Sequence, residues 1–187
     1  MAQRKKSAET YVALLRGINV GGIRINMGEL AEVFADLGLQ SVQTVLASGN
    51  VVFSTTRLEP GALKRSIEAA LGKRFGYDAW IVLVTMAELA RAVDGFPFEE
   101  HAEDRQPYVV FASDTQILTE LIRLAPTLDV EVEQIQQGPG VLYWQVQRGQ
   151  TLKSNFGKAA SAARYKSTTT TRNLRTLRKI VALERSS

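Results

Sequence analysis

The chain has 187 residues, of which 45% are hydrophobic and 22% charged, with a formal net charge of +4 and no cysteine. That length holds one larger or two small domains of ordinary globular composition. The missing cysteine excludes disulfides, thiolate nucleophiles, iron–sulfur clusters and Cys-based zinc sites, and no apolar run approaches the ~20 residues of a membrane helix.

Residues 1–9 read as a solvated tail. They are basic but lead into no signal-type apolar stretch, so a cytoplasmic protein is expected. "TYVALLRGI" (Thr10 to Ile18) is β-branched and apolar and predicts a buried strand. A helix over 27–37 follows a glycine-bearing loop, with Met27, Leu30, Phe34 and Leu37 on one face. Asn26 with Glu29 forms an analogue of the capping box, and Gly38 supplies the stop. Residues 41–55 read as two strands joined at Gly49-Asn50, a dipeptide that tolerates positive φ. Pro60 opens a helix that buries Leu63, Ile67, Leu71 and Phe75 and stops at Gly76. "DAWIVLVT" (Asp78 to Thr85) completes a β-α-β-β-α-β order, the split βαβ unit of ferredoxin-like folds. Thr85 to Glu88 is a capping box for a short helix to Val93, which closes a first domain over 10–94.

"GFPFEEHAEDRQ" (95–106) is a linker loop, and the order then repeats over 107–187. "PYVVFAS" predicts a strand. Residues 115–125 predict a helix with Ile117, Leu121, Leu124 and Ala125 inward, ended by Pro126. "DVEVEQI" (129–135) alternates apolar with acidic residues, as a half-exposed strand does, and "VLYWQVQ" (141–147) is its partner across Gly138-Pro139-Gly140. A short helix over 155–165, a Thr-rich strand at 168–171 and a helix from Arg172 to Glu184, with Thr171 as N-cap, finish the chain. The expected fold is therefore α+β: two ferredoxin-like (β-α-β-β-α-β) halves with antiparallel sheets and additional helices.

Charge is segregated. Residues 86–147 carry three arginines against eleven acids, whereas 148–187 carry ten Lys/Arg against Glu184 alone. Such asymmetry marks either an anionic partner or one segment docking on another.

Two places invite a ligand. The loop after the first strand offers Arg16, Asn19, Gly21 and Gly22 at the start of a helix, where backbone N–H groups and the dipole favour anions. It matches neither GxGxxG nor GxxxxGK[ST]. In a β-α-β-β-α-β unit the end of strand one and the hairpin of strands two and three share an edge, which brings Ser48, Gly49 and Asn50 to the same rim. The bland alternatives are glycines that only let the strand turn back, and Ser48 and Asn50 that only stabilise their own turn. At the other end, Arg172, Arg175 and Lys179 lie opposite Leu174, Leu177 and Val181, and with Asn173 they offer an anion or nucleic-acid contact. The bland alternative there is a solvated face, or one paired with the acidic segment. His101, the only histidine, sits in "EEHAED", a solvated acidic loop with no diagnostic metal spacing. No metal or cofactor is expected. No carboxylate pair stands out, so catalytic residues stay unassigned. "SGNVVFST" lacks the aromatics of an RNP1 strand.

"YVALLRGINVGG", the helix start at Met27 to Leu30, "SGNVVF" and "TTRN" together resemble the bacterial Domain of Unknown Function 1697 family, over Tyr11 to about Leu183. The resemblance implies a similar size and two ferredoxin-like halves, and it carries no activity. Members typically have Trp and Asn where this chain has Leu174 and Arg175, so a ligand role implied by resemblance stops at Arg172 and Asn173. The expected function is binding of a small anionic ligand, phosphorylated or not, at the first rim. A nucleic-acid-binding module using the basic C-terminal helix, and a small enzyme of unassigned reaction, are the alternatives.

Overall fold

The computed structural model describes residues 7–18, 23–56 and 59–185. It is an α+β protein that divides into two compact units, Met1–Met86 and Ala87–Ser187. Among the described residues each unit holds a four-stranded antiparallel sheet, and six α-helices are distributed along the chain.

In the first unit the strands β1 (Glu9–Arg16), β2 (Gln40–Val45), β3 (Asn50–Thr55) and β4 (Trp80–Thr85) are ordered β2-β3-β1-β4. Alternation along β1 sends Tyr11, Ala13 and Leu15 to one face. There they meet Leu30, Val33 and Phe34 of α1 (Met27–Asp36) and Leu63, Ile67 and Leu71 of α2 (Pro60–Phe75). Each such side chain contributes about 1.5–3 kcal/mol on burial. Val12, Leu14 and Arg16 occupy the other face.

The second unit repeats the pattern. Its strands β5 (Arg105–Ala112), β6 (Glu133–Gly138), β7 (Val141–Gln147) and β8 (Thr169–Asn173) are ordered β6-β7-β5-β8. Leu118 and Leu121 of α4 (Thr115–Ile122) and Phe156 and Ala160 of α5 (Asn155–Ala160) cover Val110, Leu142, Trp144 and Val146. The helix α3 (Met86–Asp94) falls with this unit except for Met86, and residues 95–104 lead from it to β5. The last helix, α6 (Leu174–Arg185), buries Leu174, Leu177, Ile180 and Val181 and lies against β5 and β8.

Several boundaries differ from the sequence reading, each for a local reason. The β2–β3 turn is not a two-residue turn at Gly49-Asn50. It spans Leu46 to Gly49, and Asn50 already pairs with Val45 as the first residue of β3. The residues 129–132 form a turn rather than the start of a strand, because Asp129 captures the chain: its carbonyl accepts from Val132 and Glu133, and its side chain from Glu131 N. The predicted helix 155–165 breaks after Ala160, with a 3-10 turn at Ala163–Tyr165. Arg172 and Asn173 belong to β8, so Thr171 is no N-cap. Asn173 Oδ1 takes Arg175 N at 3.0 Å instead. Asn26 does cap α1, accepting from Gly28 and Glu29, but Glu29 turns to Arg74 at 3.1 Å.

Candidate functional site

β1 ends where the β2–β3 turn folds back on it. Leu14 is paired with Asn50, and beyond that pair Leu15 N donates to Gly49 O at 2.8 Å. Gly49 has φ 75°, and a Cβ on it would stand 2.6 Å from Ile18 Cδ1. Only glycine fits, for both conformation and space. The strand end and the turn are thus pinned together, as the edge argument from topology required. Asn50 is buried, and its Nδ2 donates to Val45 O at 2.9 Å and to Ser48 Oγ at 3.0 Å. Ser48 and Asn50 therefore clamp their own turn. Asn19, Gly21 and Gly22 lie outside the described residues.

Arg16 is the last residue of β1. It lies on the sheet face away from α1 and α2, the face of Leu14 and, across the ladder, of Asn50. It is half-buried, and desolvation lowers its pKa from the ordinary arginine value. The pKa of Arg178 moves the other way. Its guanidinium is hydrogen-bonded to Glu100, which raises its pKa despite some burial. The residue opposite Arg16 on β4 is Trp80, also half-buried. The sequence predicts a strand at Trp80, and only the register of β1 against β4 makes it Arg16's neighbour.

The C-terminal candidates disperse. Arg172 sits on β8, where Nη1 donates to Thr170 Oγ1 at 2.6 Å and to Thr171 O at 3.0 Å. Asn173 caps α6. Arg175 and Lys179 are exposed on α6, while Arg178 between them holds Glu100 through two hydrogen bonds, one of 2.6 Å. Part of the basic segment thus docks on the acidic one. Among the described residues no group of three or more His, Asp or Glu side chains is placed to hold a metal ion, and no helix is long and apolar enough to cross a membrane.

Glu133 is a buried carboxylate that the alternating pattern of 129–135 does not reveal. Glu133 is only 2% exposed, and its carboxylate accepts from Trp144 Nε1 at 3.1 Å and from Phe156 N at 2.9 Å. It supplies the negative charge at the start of α5, a position that a ligand anion takes in other proteins. The Tyr143 ring lies in a notch formed by Gly95 and Gly138, edge-on to Phe96, and its hydroxyl has no hydrogen-bond partner among the described residues.

Comparison with known proteins places the chain as follows. A family model described as "Protein of unknown function (DUF1697)" matches residues 8–143. A conserved bacterial protein, SP0830 from Streptococcus pneumoniae, is similar in structure with a TM-score of 0.76 and 21% identity over 94% of this chain and 98% of that one. That likeness is one of fold. An unknown protein from Galdieria sulphuraria aligns over 95% of this chain and 94% of that one, at 10% identity and a TM-score of 0.29. No curated protein matches significantly.

Proposed function

The chain belongs to the DUF1697 family of proteins of unknown function, and for this member we propose binding of a small anionic, phosphorylated ligand at the rim where the end of β1 meets the β2–β3 turn. The observation that carries this reading is the placement of Arg16, a half-buried cation that ends β1 beside the glycine turn Leu46 to Gly49. An anion beside a half-buried cation is attracted to it where the dielectric is lower than in water. Each helix start has one carboxylate, Glu29 in the first turn of α1 and Asp114 as the cap of α4, and Glu29 is paired with Arg74 at 3.1 Å. In the same reading both units are ferredoxin-like, since each has two crossovers and the order β2-β3-β1-β4 or its equivalent.

Titration calorimetry of the full chain with inorganic phosphate and with ribose 5-phosphate tests it. Wild-type protein takes up ribose 5-phosphate, and Arg16→Gln weakens that uptake by about tenfold or more, the scale of one charge-assisted hydrogen bond. No uptake by the wild type, or equal uptake by the variant with an unchanged circular dichroism spectrum, overturns the reading.

A further inference from the structure

We infer that the ligand at this rim carries a planar heteroaromatic ring as well as its phosphate, so that it is a mononucleotide, and that Trp80 is the surface on which the ring stacks. The inference rests on the anion reading above and adds a ligand class to it.

The geometry is that of a cross-strand pair. Arg16 and Trp80 are direct partners in the β1–β4 ladder. Directly opposed residues of antiparallel strands project from the same face with Cβ atoms roughly 4.5–5.5 Å apart. Ala79 and Ile81 belong to the core under α1 and α2, so alternation independently places Trp80 on the opposite face, with Arg16. Trp80 is the first residue of β4 and Arg16 the last of β1, so both stand at the end of the ladder, the end at which Gly49 closes on Leu15. A strand residue on a face meant only for packing is met by aliphatic neighbours, as Val12 and Leu14 are by Val84 and Val82. At this one end the sequence changes to a guanidinium beside an indole. Guanidinium plus a large flat ring is the pair that recognises phosphate and base together: the cation takes the phosphate, and the ring offers a π-face that any base accepts.

The chain has two tryptophans, and the other one, Trp144, is 2% exposed and donates its indole N–H to Glu133. Both indoles emit, but Trp144 is shielded from a stacking ligand, so a change in emission that is lost in Trp80→Ala is assigned to Trp80. The experiment titrates the full chain with adenosine monophosphate and, separately, with ribose 5-phosphate. Adenosine monophosphate quenches the emission and binds about tenfold tighter than ribose 5-phosphate, the scale of one stacked base. Trp80→Ala removes that tenfold advantage and leaves ribose 5-phosphate affinity unchanged, while Trp80→Tyr keeps most of it. Equal affinity for the two compounds, or a Trp80→Ala loss that is the same for both, overturns the inference and leaves the anion site standing. Failure of ribose 5-phosphate to bind wild-type protein overturns the anion reading and this inference with it.

Discussion

Tyr143 is 1% exposed, and its hydroxyl has no hydrogen-bond partner among the described residues. Burial pushes its pKa above the ordinary phenol value. A hydroxyl taken from water without a partner costs about 1–3 kcal/mol, against which the ring's burial and its edge-on contact with Phe96 work. Tyr143→Phe keeps the ring and removes the cost. It should raise the stability of the full chain by about 1 kcal/mol in urea denaturation; a loss of that size would mean that the hydroxyl has an essential partner. The notch explains why tyrosine fits there at all. A Cβ on Gly138 would lie 2.4 Å from Tyr143 Cε2. Sequence could not reveal this, because Gly138 reads as turn chemistry and its role in admitting a ring from β7 appears only once β6 and β7 are paired. Glu133 was hidden for a related reason. Its place in an alternating acidic run spoke for solvent, and the carboxylate is instead buried against Trp144 and the start of α5. Single charges that go inward do so for a specific donor, and composition carries no trace of the donor. Gly49 and Asn50 lie between these extremes. Their dipeptide announced a turn, yet Asn50's bond to Val45 O lengthened that turn to four residues, Leu46 to Gly49.

At the scale of elements, period decided what was legible. The helix α2 and the strand β7 were readable to their ends because apolar spacing, Pro60 and Gly76 agreed with one another. The strand β6 was misplaced because Asp129 imposes a turn that alternation does not foresee. α6 shows what an amphipathic pattern leaves open. Its apolar face is buried as the spacing required, but its basic face is divided, with Arg178 held by Glu100 of the 95–104 loop and Arg175 and Lys179 exposed. The Arg178 guanidinium holds the Glu100 carboxyl below the usual carboxylate range, chiefly by hydrogen bonding. Folded Glu100 thus gives up its proton more readily than the unfolded chain does. The stabilisation it contributes is fully present above the ordinary carboxylate range and is lost as pH falls through its lowered folded-state pKa. The pair is partly exposed, so its contribution is within about 1 kcal/mol. Arg178→Met should lower stability by that amount at neutral pH, and the difference from wild type should vanish in acid. Denaturation curves of both proteins across pH 2–7 check this, and a gap that persists at the acid end would assign the loss to packing of the arginine stem rather than to charge.

Over the whole molecule the segregated charge largely cancels within one unit. Residues 87–187 carry thirteen Lys/Arg against twelve Asp/Glu, a net of +1, because the acidic stretch and the basic tail fold into the same body. Arg178–Glu100, Arg164–Glu120 and Arg105–Asp104 are ion pairs inside it. Arg148 adds hydrogen bonds to Glu103 O. The stripe proposed for nucleic acid is thereby reduced on α6 to Arg175 and Lys179, since Arg172 is on β8. Two phosphate contacts produce a slope of log K on log salt no steeper than about −2, far from the 6–10 contacts of a dedicated duplex binder. We therefore expect a labelled single-stranded 20-mer to show no binding at 150 mM salt by fluorescence anisotropy. Any binding at low salt should be unaffected by Arg175→Glu with Lys179→Glu if the strand's end nucleotide engages Arg16 and Trp80. Binding that persists at 150 mM and disappears on that double reversal would instead make α6 the functional surface and displace the rim of the first sheet from that role.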